Sequence, residues 1–108
     1  MSMAYLKIIV YVPLANADAV RKAIGYAGGG KIGNYSFCSF SSRGVGRFLP
    51  ETGAHPATGE IGKLEQVEEE RIEFVCEPEL RAKVVEAIKR AHPYEEPAID
   101  IWPVEIEP

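Results

Sequence analysis

His92-Pro93-Tyr94-Glu95-Glu96-Pro97 sets an imidazole, a phenol and two carboxylates within five residues, next to two prolines. Proline fixes φ and biases the residue before it away from helix, so this segment reads as a stiff, extended corner. Imidazole with carboxylate is a donor set that suits zinc or a similar divalent ion, which makes His92, Glu95 and Glu96 candidate metal ligands. The same residues admit a structural reading. His92 would then cap a helix C-terminus through a terminal carbonyl, and Tyr94 would be a packing plug with a bonded hydroxyl.

Other groups with chemistry lie earlier in the chain. Cys38 and Cys76 are far apart and form no CxxC pair, so both are expected as reduced thiols. Cys38, close to Phe37 and Phe40, reads as a core or interface thiol, or as a soft-metal ligand. Nothing beside it in sequence would lower its pKa, so a nucleophile is not expected. Arg43, Arg47 and Lys63 stand in a glycine-rich stretch without a GxxxxGK[ST] pattern. They are candidate ligands for an anion, with Tyr94 as a further ligand-binding candidate. His55 reads as a solvated loop residue. Ser36, Ser39, Ser41 and Ser42 have no paired base in sequence, and no enzyme is expected.

These groups must be positioned by a chain of 108 residues, 46% hydrophobic and 26% charged, the size and composition of a single domain over residues 1–108. The net charge of −4, with basic residues dispersed among acidic ones, predicts no nucleic-acid partner. No apolar run approaches the ~20 residues of a membrane span, and the start lacks a basic signal region. A cytoplasmic protein is expected. The acidic run from Glu65 to Glu70 reads as a solvated strand face.

The elements follow from periodicity. Leu6, Ile8, Val10 and Val12 alternate with Tyr5, Lys7, Ile9 and Tyr11 as a first strand. Asn16 is an N-cap candidate for a helix over about 17–27, stopped by Gly28-Gly29-Gly30. Tyr35 to Phe40 predicts a second strand and Val67 to Cys76 a third. Pro78 suits the first turn of a second helix, with Leu80, Val84, Ile88 and Ala91 as its apolar stripe. A last strand is expected over about 98–104. The order β-α-β-β-α-β predicts an α+β, ferredoxin-like two-layer sandwich, an antiparallel four-stranded sheet with helices on one face. Tyr5, Ile9, Tyr11 and Trp102 would then form an apolar patch on the open face, a surface for oligomerisation. The long loop between strands two and three, residues 41–66, is expected to be functional or disordered.

Three motifs in order carry a resemblance: Gly33-Asn34-Tyr35-Ser36-Phe37-Cys38-Ser39-Phe40, Gly59-Glu60-Ile61-Gly62-Lys63-Leu64-Glu65 and His92-Pro93-Tyr94-Glu95-Glu96-Pro97-Ala98. From about Leu6 to Val104 the chain resembles the PII-like/CutA-like domain inserted in the NIF-three-like (Ngg-interacting factor) family. Its last motif is also similar to a corner of the CutA divalent-ion tolerance proteins. The resemblance implies a homotrimer, and CutA-type chemistry adds copper to zinc as an implied metal for Cys38. The two flanking halves that build the dimetal site of longer family members are not matched, so the chain looks like a stand-alone copy of the insert. Many relatives carry His at the position of Phe37 and Asn at that of His55, so a metal site relying on that first His is not inherited.

The resulting expectation is a small trimeric binding or regulatory module that senses a divalent metal ion or small ligand at subunit boundaries and orders its 41–66 loop on binding. The alternative is a structural assembly unit that docks a protein partner through that loop and needs no ligand.

Overall fold

A computed structural model of the chain describes residues 3–107. Its elements are β1 (Met3–Pro13), α1 (Ala17–Tyr26), β2 (Phe40–Phe48), β3 (Glu65–Cys76), α2 (Arg81–Ala91) and β4 (Ile99–Ile106). The strands form one antiparallel sheet in the order β2-β3-β1-β4, the ferredoxin-like arrangement. Ile8 sits opposite Phe74 and Ile101, which fixes the register of the three strands that carry the core.

The alternation along β1 puts Ile8, Val10 and Val12 on the helix side with Ile72, Phe74 and Cys76 of β3. Val20 and Ile24 of α1, with Val84 and Ile88 of α2, close the core from above, four apolar side chains at helical spacing. Leu80 and Ala91 pack at its border. The entry to α1 is a 3-10 turn, Leu14–Asn16, and the Asn16 side chain makes no capping bond, unlike the expected N-cap. The exit follows the glycines: the Gly29 N–H bonds the Ile24 carbonyl, and Gly28 and Gly30 take positive φ.

The second strand is displaced from its expected place. Residues 35–39 alternate in polarity but run as irregular chain, with Phe37 at φ 60° and a single bridge between Ile32 and Tyr35. The strand begins at Phe40 and runs through Gly44 and Gly46, residues that weaken a strand on propensity. Pairing with β3 along all nine of its residues holds it at the sheet edge. The connection to β3 is therefore residues 49–64, shorter than the expected 41–66 loop.

The open face also differs from expectation. Trp102 is exposed and Tyr11 half-buried, but Tyr5 and Ile9 are buried. Val75, Trp102 and Val104 lie on the same face across the ladder, within reach of these two side chains. The acidic run of β3 is not a uniformly solvated face: Glu69 is 7% exposed, and Glu70 turns to the helix layer to pair with Arg21 of α1.

Candidate functional site

The corner between α2 and β4 begins where the helix runs out. The backbone N–H of His92 makes the last helical bond, to Ile88, and Pro93 prevents continuation. The His92 ring is 6% exposed and does not cap its own helix. Its Nε2–H donates to the carbonyl of Tyr11 on β1 (2.7 Å), and its Nδ1 accepts the Tyr94 N–H (3.1 Å). Both nitrogens are used, and only the neutral Nε2–H tautomer serves both bonds. Burial lowers the His92 pKa, with the Tyr11 carbonyl and the Glu69 carboxylate acting against that shift.

Tyr94 turns back over the end of the sheet. Its ring packs edge-on to Phe48 (5.7 Å between centroids) and tilts against His92 (4.9 Å). Its hydroxyl donates to Glu69 Oε2 at 2.8 Å. Burial and the adjacent carboxylate push the phenol pKa up, so it is a hydrogen-bond donor at any physiological pH. Glu69 fits because Gly46, diagonal to it across the ladder, has no side chain. A Cβ there would lie 2.0 Å from Glu69 Oε1. Glu95 accepts the backbone N–H of His55 (3.1 Å), which ties the 49–64 connection to the corner.

Tyr94, Glu69 and Glu95 help to wall a cleft of about 1180 Å³. Arg43, Arg47 and Phe48 of β2, Arg71 and Glu69 of β3, part of the following connection, and Tyr94, Glu95 and Glu96 line it. The pleat sets Arg43 and Arg47 on one face of the hairpin and Arg71 on the other, so the cleft wraps around the β2 edge. Arg71 lies 3.7 Å from Glu73, whereas Arg43 and Arg47 have no carboxylate within 4.0 Å among the described residues.

The candidates from the sequence are thus only partly brought together. Glu95, Glu96, Tyr94, Arg43 and Arg47 share the cleft. Lys63 is not in its lining and pairs with Glu60 (3.1 Å). His92 lies behind Tyr94, and a metal ion on its ring would have to displace the Tyr11 carbonyl or the Tyr94 amide. Cys38 is bonded through its backbone to Gly30, which docks on Val75, whereas Tyr94 reaches Glu69, six residues along the same strand and roughly 20 Å away. Among the described residues no three His, Cys, Asp or Glu side chains are placed to hold a metal ion. Both cysteines are free, Cys76 buried with its thiol pKa pushed up by that burial.

Sequence reasoning missed Glu69. Nothing local separates it from Glu65, Glu68 or Glu70; the available signal was Gly46, a residue without a side chain that leaves room for a large one diagonal to it across the ladder.

No family model matches the chain. It is 50% identical over 98 residues to a protein of Halalkalibacterium halodurans called GTP cyclohydrolase 1 type 2 homolog, covering 91% of this chain and 26% of that protein. Among solved structures it is similar to a Bacillus cereus protein related to NIF3, with 47% identity and a TM-score of 0.82 over 96% of this chain and 26% of that one. The chain spans about a quarter of the length of these relatives. The fold is shared with the periplasmic divalent cation tolerance protein CutA of Archaeoglobus fulgidus (22% identity, TM-score 0.66, 94% of this chain and 84% of that one). It is also shared with B. subtilis GlnK in complex with ATP (18%, TM-score 0.63, 96% and 84%).

Proposed function

We propose, for a chain homologous to one quarter-length segment of the NIF3-related proteins, the role of a small binding or regulatory module. It assembles as a cytoplasmic homotrimer through the open face of its sheet and holds a small polar ligand with an anionic group at the subunit boundary. The observation that carries this reading is the cleft at the β2 edge. Its volume of about 1180 Å³ is ample for a small polar ligand. Arg43 and Arg47 supply charge to meet an anion, and the Glu69–Tyr94 bond gives the cleft a rigid floor.

Ligand binding would act on the 49–64 connection, whose link to the corner is the Glu95 carboxylate on the His55 amide. Adenine nucleotides are the first probes, because a protein of the same fold, GlnK, was solved with ATP. Zinc and copper are tested beside them, with Glu95 and Glu96 as the groups in reach. The test is calorimetric titration of ATP, ADP, zinc and copper into the protein and into an Arg43→Ala/Arg47→Ala variant. Saturable binding of an anion, weakened at least tenfold in the variant, supports the reading. Binding unchanged in the variant removes the arginines from it, and no binding of any probe favours the ligand-free assembly unit.

A further inference from the structure

Met3 pairs with Ile106, so the two ends of the described chain leave the sheet side by side. At that same end Leu6 lies opposite Cys76, and the N–H of Gly30 bonds the Val75 carbonyl. The irregular segment 27–39 is thereby docked two strands from β1, which places Met3 roughly 15 Å from Gly30 by strand spacing and rise.

This end carries an exposed apolar surface, separate from the exposed Val45, Leu49, Ile61 and Leu64 at the far end of the hairpin. Tyr26 is 79% exposed, Tyr35 74%, Phe37 48% and Ile32 42%, four large apolar side chains within twelve residues. Phe37 is the one non-glycine residue with positive φ among the described residues, a conformation that bulky side chains avoid. Its ring is held firmly outward. One side rests on Gly25, where an added Cβ would lie 2.0 Å from the ring, and Tyr26 meets it edge-on with centroids 5.3 Å apart. Strain and exposed aromatic area at one place indicate a surface kept for contact.

Three-quarters of the relatives' polypeptide lies outside the segment this chain matches. Whichever end that polypeptide continues from, it departs from the sheet beside the patch, because Met3 and Ile106 are paired there. We propose that Tyr26, Ile32, Tyr35 and Phe37 form the docking surface for the remaining part of a NIF3-related protein. The partner surface is apolar, with an acidic rim to meet the exposed Lys22 and Lys31 that border the patch. The proposal is independent of any ligand in the cleft, which is walled by the other end of the β2–β3 hairpin.

The test exchanges this chain for the homologous quarter of the B. cereus NIF3-related protein, to which it is 47% identical, and compares amide hydrogen exchange in the hybrid and in the free chain. Exchange over residues 26–38 is expected to slow at least tenfold in the hybrid. Tyr26→Ser/Phe37→Ser should return it to the free-chain rate while the β3 core amides stay protected. Equal rates in both contexts would overturn the proposal, and so would protection in the free chain that rises with its concentration, since a second copy would then be the occupant. Where the hybrid does not fold, the B. cereus crystal structure decides. Positions superposing on the four residues are expected to be buried against the rest of that chain, and their exposure to solvent overturns the proposal.

Discussion

Removing the hydroxyl of Tyr94 strands the Glu69 carboxylate in a site that is 7% exposed, with a bond of 2.8 Å unmade. Tyr94→Phe should therefore cost about 1–3 kcal/mol in chemical denaturation, the range for a buried polar group that loses its partner. A loss below about 0.5 kcal/mol would mean that water reaches Glu69 as easily as Tyr94 does. His92 makes a different prediction, because its two bonds require the neutral ring. Its folded pKa is depressed, chiefly by burial, below the ordinary 6.5, so between the two values the unfolded chain binds more protons than the folded one. Stability is thus fully present above about pH 6.5 and is lost as pH falls through that value toward the folded pKa. Urea midpoints measured from pH 8 to pH 5 should show this fall, and His92→Asn should flatten it. An unchanged slope in the variant would assign the titration to other groups.

Strand β2 shows how an element can be hidden from its own sequence. The core-bearing elements β1, β3, α1 and α2 were legible because Ile8, Val10, Ile72, Phe74, Val84 and Ile88 repeat at strand or helix period and are all buried. Strand β2 buries almost nothing, so its sequence carries no such period; its place is set by the ladder to β3, a long-range pairing that no local pattern encodes. Residues 35–39 misled in the opposite sense, since their alternation was compatible with a strand that the left-handed backbone at Phe37 prevents. The site was half legible for the same reason. The corner 92–97 is contiguous and was found, whereas Glu69 acquires meaning only once Gly46 and Tyr94 are brought to it. The two glycines of β2 can be separated by experiment. Gly46→Ala pushes Glu69 from its position and should cost about 1–3 kcal/mol, the range for overpacking. Gly44→Ala meets nothing within 4 Å and should stay within about 0.5 kcal/mol of the parent. Because Gly46 and Tyr94 act on the same carboxylate, the double variant Gly46→Ala/Tyr94→Phe should cost less than the sum of the singles. Full additivity would show that the two contacts are independent.

At the scale of the molecule, the sheet has two unequal ends and one open face. One end carries the cleft, where the hairpin edge and the α2–β4 corner meet; the other carries the paired chain ends and the aromatic patch. Between them lies the open face, with Trp102 41% exposed, where the proposed assembly of copies is placed. The proposed ligand-responsive trimer with a separate docking end uses all three surfaces. The most direct measurement is native mass spectrometry of untagged protein, purified without chelator, beside its Arg43→Ala/Arg47→Ala variant. A trimer carrying a small non-covalent ligand, with the ligand lost and the trimer kept in the variant, is the predicted result. A bare monomer that stays bare in the presence of ATP, zinc and copper would contradict it.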